Sequence, residues 1–440
     1  MKKKLLILLC LFFSLATGAQ DELKIQIESI IESIEDDHYE TYKYLHAHPE
    51  LSLMEFETSK KMAQHIEDMG FRLSRNFSGN SLVGVLENGD GPVIMLRTDM
   101  DALPIKEETG LPYASRMIKE DAEGNSLPAM HACGHDMHMT LWLGTLNTLV
   151  QMRDQWSGTI IAIAQQAEEI SAGAGRMIEA GLFKKFPVPD YALAYHVNAG
   201  LPAGSIGYYP GPIFGGVSSV DIRVHGYGGH GAMPHTTIDP VVLASRMVLA
   251  IQTLVSREIE PYQPAVVTVG SIHGGSKHNV IPEKVDMQLT VRFFEDRVYE
   301  QIIEGLERIT RGIALSAGLP EDRMPDVIPL EGLTPPVAND PGLVNRAVVS
   351  MQEMLGKGNI HRVNPSTVGE DFGMYGRSEE QVPIALFWLG AVEHEKYFDH
   401  MENASPLPGL HNAGFHPDFY PTFRGGVAAM TKTMIDLFKE

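Results

Sequence analysis

The chain has 440 residues, 44% of them hydrophobic and 21% charged, with a formal net charge of −21. That balance excludes a disordered or collagen-like chain, and the length suits two domains rather than one. The acidic excess argues against a nucleic-acid partner, and two cysteines, Cys10 and Cys133, are too few for a disulfide scaffold.

At the N-terminus, Lys2, Lys3 and Lys4 precede an apolar run from Leu5 to Leu15, broken by Ser14 and followed by the small residues Ala16-Thr17-Gly18-Ala19. This is the pattern of a signal peptide over residues 1–19, too short to span a bilayer comfortably. Cleavage after Ala19, or after Gly18, would make the mature chain periplasmic or secreted. It would leave no stable membrane anchor and Cys133 as the one remaining cysteine. Residues 21–45 read as an amphipathic helix with Leu23, Ile27, Ile30, Ile31 and Ile34 at helical spacing, and Thr58–Met69 as a second helix ended by Gly70.

Four short apolar runs rich in β-branched residues follow: Val93–Leu96, Thr159–Ala164, Tyr191–Tyr195 and Ile384–Leu389. Such runs alternating with helices predict an α/β fold, a mixed, largely parallel sheet flanked by helices. Ligands of these sheets gather beyond the carboxyl ends of the strands, where this chain carries Asp99 and Asp101, Glu168 and Glu169, and His196. Between residues 214 and 330 the texture changes. Val217–Val224, Ala265–Val269 and Lys284–Phe294 read as strands, Asp239–Ser256 and Arg297–Leu315 as helices, an order that suits an α+β open-faced sandwich. The expected organisation is a signal peptide (1–19), a discontinuous catalytic domain (20–213 and 331–440) and an inserted lid or dimerisation domain (214–330).

The densest cluster of chemistry is His131-Ala132-Cys133-Gly134-His135-Asp136, ahead of a helix over Met137–Met152. Cys133 and His135 are two apart, so they can converge on one ion only in a loop, which Gly134 permits. Thiolate and imidazole suit zinc or a neighbouring divalent ion. His138, one turn further on, reads as a packed or solvated histidine. Of the pair Glu168-Glu169, one carboxylate can ligate metal while the other faces the water it holds, as neutral-pH hydrolysis requires. Asp99 or Asp101 could hold a ligand histidine by its other ring nitrogen. A further ligand is expected late in the chain, where His411 and His416 lie. Gly226–Gly231 lacks the dinucleotide spacing, Ala203–Gly207 lacks the first glycine of a serine-hydrolase elbow, and His46-Ala47-His48-Pro49 reads as a helix end.

Taken together, Arg97–Pro104, His131–Asp136, Ala167-Glu168-Glu169, Gly229–His235, His278–Pro282 and Gly369–Phe372 resemble the amidohydrolase branch of metallopeptidase family 20, in order, between about Tyr42 and Phe423. That branch includes N-acyl-amino-acid, hippurate and indoleacetyl-amino-acid hydrolases. The resemblance implies a centre of one or two divalent ions (Zn, Mn, Co or Ni) held by Cys133, His135, Glu169, His196 and His411. It implies Glu168 as general base, with Asp99 in the catalytic set, and His230 stabilising the oxyanion, in dimeric relatives from the partner subunit. Asn279 and Arg292 would bind the free carboxylate of a small N-acyl amino acid or short peptide, and the inserted domain would support a homodimer. Two departures stand out: Arg97 replaces the ligand histidine of other branches, and Gln166 stands where many relatives carry proline. The nearest rival is a dipeptidase or carboxypeptidase on the same scaffold. A hydrolase using Cys133 as nucleophile and a non-catalytic metal-binding module are the others.

Overall fold

The structure, a computed structural model, describes the side chains of residues 21–330 and 332–439; the signal-peptide expectation over residues 1–19 lies outside the described residues. The chain divides into two units: Met1–Gly211 with Ala338–Asn364 and Met374–Glu440, and Pro212–Val337 with Pro365–Gly373. The short return of residues 365–373 to the second unit has no compositional marker in the sequence.

The first unit is built on an eight-stranded sheet. Its strands in chain order are β1 (Arg72–Ser74), β2 (Leu82–Asn88), β3 (Val93–Asp99), β4 (Gly158–Gln165), β5 (Tyr191–Pro202), β6 (Ile206–Tyr208), β7 (Ile360–Arg362) and β8 (Ile384–Val392). They lie in the order β1-β2-β4-β3-β5-β8-β6-β7. The four central strands, β4, β3, β5 and β8, run parallel to one another, and antiparallel pairs join β1 to β2, β2 to β4 and β8 to β6. The sheet is thus mixed and largely parallel. All nine residues of β8 are buried, as expected of a strand covered on both faces.

Helices α1 (Lys2–Ala47), α2 (Phe56–Asp68), α3 (His135–Gln151), α4 (Pro341–Leu355) and α5 (Phe419–Leu437) flank it. Leu23, Ile27, Ile31 and Ile34 of α1 are buried in one core with Met137, Leu141 and Leu146 of α3 and Phe423, Val427 and Met430 of α5. α1 ends just before His48-Pro49, as proline requires. One strand is longer than its apolar run: β5 continues past Tyr195 to Pro202, because β8 supplies partners as far as Val392. His196 therefore sits inside the strand rather than beyond it.

The second unit is a four-stranded antiparallel sheet in the order Val266–Gly274, Lys284–Phe293, Gly216–His225, Asp326–Pro329. Gly216–His225 alternates strictly in burial, which marks one covered face. Helices Pro240–Thr253 and Asp296–Ser316 supply the cover, through Leu243, Met247, Ile251, Ile302 and Leu306 against Val220, Ile222, Leu289 and Val291. The span Pro240–Glu258 is long and apolar enough, by length and composition, to cross a membrane. Its Leu243, Met247 and Ile251 nevertheless belong to this unit's core.

Candidate metal centre

The centre grows from three places in the first unit. β3 ends at Asp99 and is followed by Asp101. β4 ends at Gln165 and leads into Glu168 and Glu169. His131–Gly134 then turns into α3, whose first residue is His135. Gly134 is the residue on which that turn depends. Its φ is 78°, and a Cβ there would lie 2.5 Å from Val197 Cγ2. A side chain would be both strained and blocked.

Cys133, His135 and His196 bring their ligand atoms within 4.8 Å of one another, and so do Cys133, Glu169 and His411, and His135, Glu168 and Glu169. Cys133 is common to the first two groups. His196 Nε2 lies 3.5 Å from Cys133 Sγ, while its Nδ1 bonds to the Val197 carbonyl at 2.9 Å. A carbonyl only accepts, so the proton sits on Nδ1 and the Nε2 lone pair faces the thiol. Burial, then the neighbouring His138, keeps His196 well below the usual histidine range, in the neutral form that ligates. His411, at φ 61°, has its N–H on Ala132 O at 2.9 Å, tying its loop to the Cys133 turn, and its Nε2 is 3.3 Å from Glu169 Oε2.

His135 is fully enclosed. Its Nδ1 is 3.4 Å from Asp101 Oδ1 and 3.8 Å from Asp99 Oδ1; its Nε2 is 3.7 Å from Glu169 Oε1 and 3.9 Å from Glu168 Oε2. Both ring nitrogens and Glu169 Oε1 are buried without a hydrogen-bond partner. Buried polar atoms are normally paired, so unpaired donors converging with a thiol fit a divalent transition ion. Burial opposes charge on His135, but Asp99, Asp101 and Glu169 outweigh it and raise the imidazole to about 10. The acidic surroundings that stabilise this proton would equally stabilise a cation.

Asp99 has other partners. Its Oδ2 receives Arg97 Nη1 at 2.8 Å and its Oδ1 receives His138 Nδ1 at 2.8 Å. The Val197 N–H donates to His138 Nε2 at 2.8 Å, which fixes His138 as the Nδ1–H tautomer and occupies both nitrogens. His138 is the packed histidine the sequence suggested. Of the two aspartates, Asp101 stands closer to His135. Arg97 neutralises Asp99 in the interior, its Nη1 2.8 Å from Asp99 Oδ2. Gln166 also finds a role: its amide receives Asn80 N at 2.7 Å and donates to Ser78 O at 2.7 Å, closing residues 78–80 against the strand end. His416 is in none of the donor groups, and its Nδ1 is 3.4 Å from Pro417 O.

Burial, then Glu169 and Glu168, pushes the Cys133 thiol well above the usual cysteine range. Glu55, unmarked in the sequence reading, is fully buried, and its Oε1 receives Ala167 N at 2.8 Å, directly before the acidic pair.

Three sequence-predicted residues lie in the second unit. His230 pairs with Val280 in a two-residue ladder, and Gly231 N donates to Asn279 O at 2.9 Å, so His230 and Asn279 are neighbours. Arg292 lies near the far end of the strand that begins at Lys284, half-buried, with Nη1 on Thr290 Oγ1 at 2.8 Å. The glycine-rich segment 226–231 is the turn that forms the His230 ladder.

Residues 95–413 match Peptidase family M20/M25/M40. The chain is 35% identical over 355 residues to the N-acetylcysteine deacetylase of Bacillus subtilis, covering 80% of this chain and 88% of that one. It is 35% identical over 297 residues to an N-acyl-L-amino acid amidohydrolase of Geobacillus stearothermophilus, covering 67% and 77%. The crystal structure of a Bacillus subtilis dinuclear metal binding peptidase superposes with a TM-score of 0.75 at 28% identity, over 93% of this chain and 99% of that one. With the strand-end carboxylates, the Cys-Gly-His turn and the late histidine all in place, this chain belongs to Peptidase family M20/M25/M40.

Proposed function

We propose that this protein is a metal-dependent hydrolase that cleaves the acyl–nitrogen bond of N-acyl amino acids. The observation that carries the reading is the position of Cys133, whose Sγ lies within 4.8 Å of ligand atoms of His135 and His196 and of Glu169 and His411. These five residues would hold one or two divalent ions, zinc or manganese among the candidates. When bound, the metal supplies Lewis acidity toward the acyl carbonyl and lowers the pKa of the attacking water. Glu168, beside Glu169, takes the proton from that water as its oxygen bonds to the acyl carbon. Glu168 then returns the proton to the leaving nitrogen as the C–N bond breaks, releasing a carboxylic acid and a free amino acid. Asp101 stands 3.4 Å from His135 Nδ1, close enough to orient the ring once its other nitrogen is bound, while the Arg97–Asp99–His138 chain fixes the strand next to His196.

His230 would donate to the oxyanion, and Asn279 and Arg292 would receive the substrate carboxylate. His230 and Asn279 belong to the ladder that precedes the strand Lys284–Phe293, and Arg292 lies near the far end of that strand, eight residues and roughly 26 Å beyond Lys284 at 3.3 Å per residue. That separation exceeds a small acyl amino acid and favours the two groups serving different active sites of a dimer. Exposed Val241, Val242 and Leu249 on the helix Pro240–Thr253, with the edge strand Val266–Gly274, offer the surface for that dimer. The signal-peptide pattern of residues 1–19 supports an exported enzyme.

The test is a panel of acetyl- and benzoyl-amino acids and dipeptides, assayed on metal-reconstituted protein with metal content measured alongside. Preference for the acyl amino acids is expected, and preference for dipeptides would transfer the chain to the peptidase reading.

A further inference from the structure

Glu168 and Glu169 follow a backbone that does not hold itself. Ala167 has φ 55°, in the left-handed region, which a residue with a Cβ adopts only where its surroundings impose it. Three consecutive backbone N–H groups pass through this bend, and each meets a buried carboxylate. Ala167 N donates to Glu55 Oε1 at 2.8 Å, Glu168 N to Asp101 Oδ1 at 3.1 Å and Glu169 N to Asp101 Oδ2 at 3.0 Å. Glu55 is 0% and Asp101 1% exposed. Glu55 comes from the residue that precedes α2, its other oxygen receiving Asn80 Nδ2 at 3.2 Å. Asp101 is steadied by Ser52 Oγ at 2.7 Å and reaches His135 Nδ1 at 3.4 Å with the oxygen that holds Glu168 N. Burying two carboxylates close together is costly, and neither forms an ion pair with Lys or Arg among the described residues. What they secure in return is the bend.

We infer that Glu55 and Asp101 are positioning residues, a two-carboxylate clamp that aims Glu168 and Glu169 by holding the backbone N–H groups of residues 167–169. Asp101 couples this bend to His135, so one side chain sets a general base and two metal ligands. The inference rests on the proposed roles of Glu168, Glu169 and His135, and it adds Glu55, which neither touches the donors nor stands out in the sequence.

The test compares Glu55→Ala, Glu55→Gln and Asp101→Asn with Asp340→Ala, which removes a carboxylate from a backbone N–H (Leu343 N, 2.7 Å) at the start of α4. Three readouts are taken on the full chain: hydrogen exchange of the segment 166–171, affinity of the stripped protein for zinc, and kcat and KM. Glu55→Ala should speed exchange of the segment by about tenfold or more and lower kcat about a hundredfold, with KM little changed. Glu55→Gln keeps an acceptor for Ala167 and should restore most of both. Asp101→Asn turns one oxygen into a donor and should weaken zinc binding about ten- to a hundredfold. Asp340→Ala should alter stability alone.

Unchanged exchange in Glu55→Ala, or a kcat loss no larger than that of Asp340→Ala at equal loss of stability, would overturn the clamp. If Glu55→Ala does not fold, the isosteric Asp101→Asn decides, and unchanged exchange and zinc affinity there overturn it. Should the parent hydrolyse no acyl amino acid, the functional reading fails, while exchange and zinc affinity still judge the clamp.

Discussion

Two buried histidines of the first unit, His46 and His135, each stand among carboxylates, and the residue that links them is Asp136, next in sequence to His135. His46 Nδ1 bonds to Asp136 Oδ2 at 2.7 Å and its Nε2 to Glu107 Oε1 at 2.9 Å. Glu107 also receives Thr109 Oγ1 and Ser115 N, and Asp136 receives Met137 N. This is a completed ion triad tying α1, the segment 107–115 and the start of α3. His135 meets its carboxylates at 3.4 to 3.9 Å, and neither ring nitrogen has a hydrogen-bond partner. At the first set of distances groups share a proton, and at the second they can share an ion. Titration does not separate the two, since His46 is raised to about 9 and His135 to about 10. Geometry does: the His46 cluster is a closed set of hydrogen-bonded ion pairs, and the His135 cluster has the open spacing that would suit an ion.

The sharpest way to break this contrast is through the base beside His135. Glu168→Gln should lower kcat about a thousandfold or more while metal content stays at the parent level. An active purified variant would remove Glu168 from the mechanism. On the other side of the comparison, His46→Leu should leave two carboxylates buried without their cation and cost about 3–5 kcal/mol, read by denaturant unfolding. Zinc binding by the folded fraction should survive. Loss of zinc affinity at unchanged stability would instead make His46 part of the metal centre.

The His46 triad also carries a pH signature. Burial disfavours charge on His46, but Asp136 and Glu107 outweigh it and lift the folded value to about 9 from an ordinary 6.5. A raised value means that the stabilisation is complete below pH 6.5 and fades as pH rises through 9, on the order of 3 kcal/mol in all. The stability difference between parent and His46→Gln should therefore shrink between pH 6.5 and 9.5, and a constant difference would show that His46 is not charged in the fold. The smallest effect belongs to the second unit. Arg292→Ala should cost about 1–3 kcal/mol in kcat/KM for substrates with a free carboxylate and little for their amides, and equal losses would remove Arg292 from carboxylate binding.

Much of this was legible in the chain itself. The apolar runs at β3, β4, β5 and β8 placed the central strands, because a doubly covered strand has no polar face to disguise it. The short edge strands β6 and β7 were not legible, since three residues carry no period. Cys133, His135, Glu169 and His196 stood out as metal-competent types at a glycine turn and at strand ends, and His411 was one of two late candidates. Which aspartate stands behind which histidine could not be read from Asp99-Met100-Asp101, because Arg97 and His138 claim Asp99 only in three dimensions. Glu55 had no signal at all: an acid at the start of a helix looks like an ordinary helix-end residue until its oxygen is found on Ala167 N.

The most direct test of the central claim is a zinc and manganese titration of chelator-stripped protein, followed by calorimetry, with hydrolysis of an N-acyl amino acid measured at each step. One or two ions should bind per chain with release of protons, and activity should return in step with occupancy. Cys133→Ser should both weaken the binding and lower the activity. Full activity in the stripped protein, or metal binding that Cys133→Ser leaves intact, would contradict a catalytic metal centre built around Cys133.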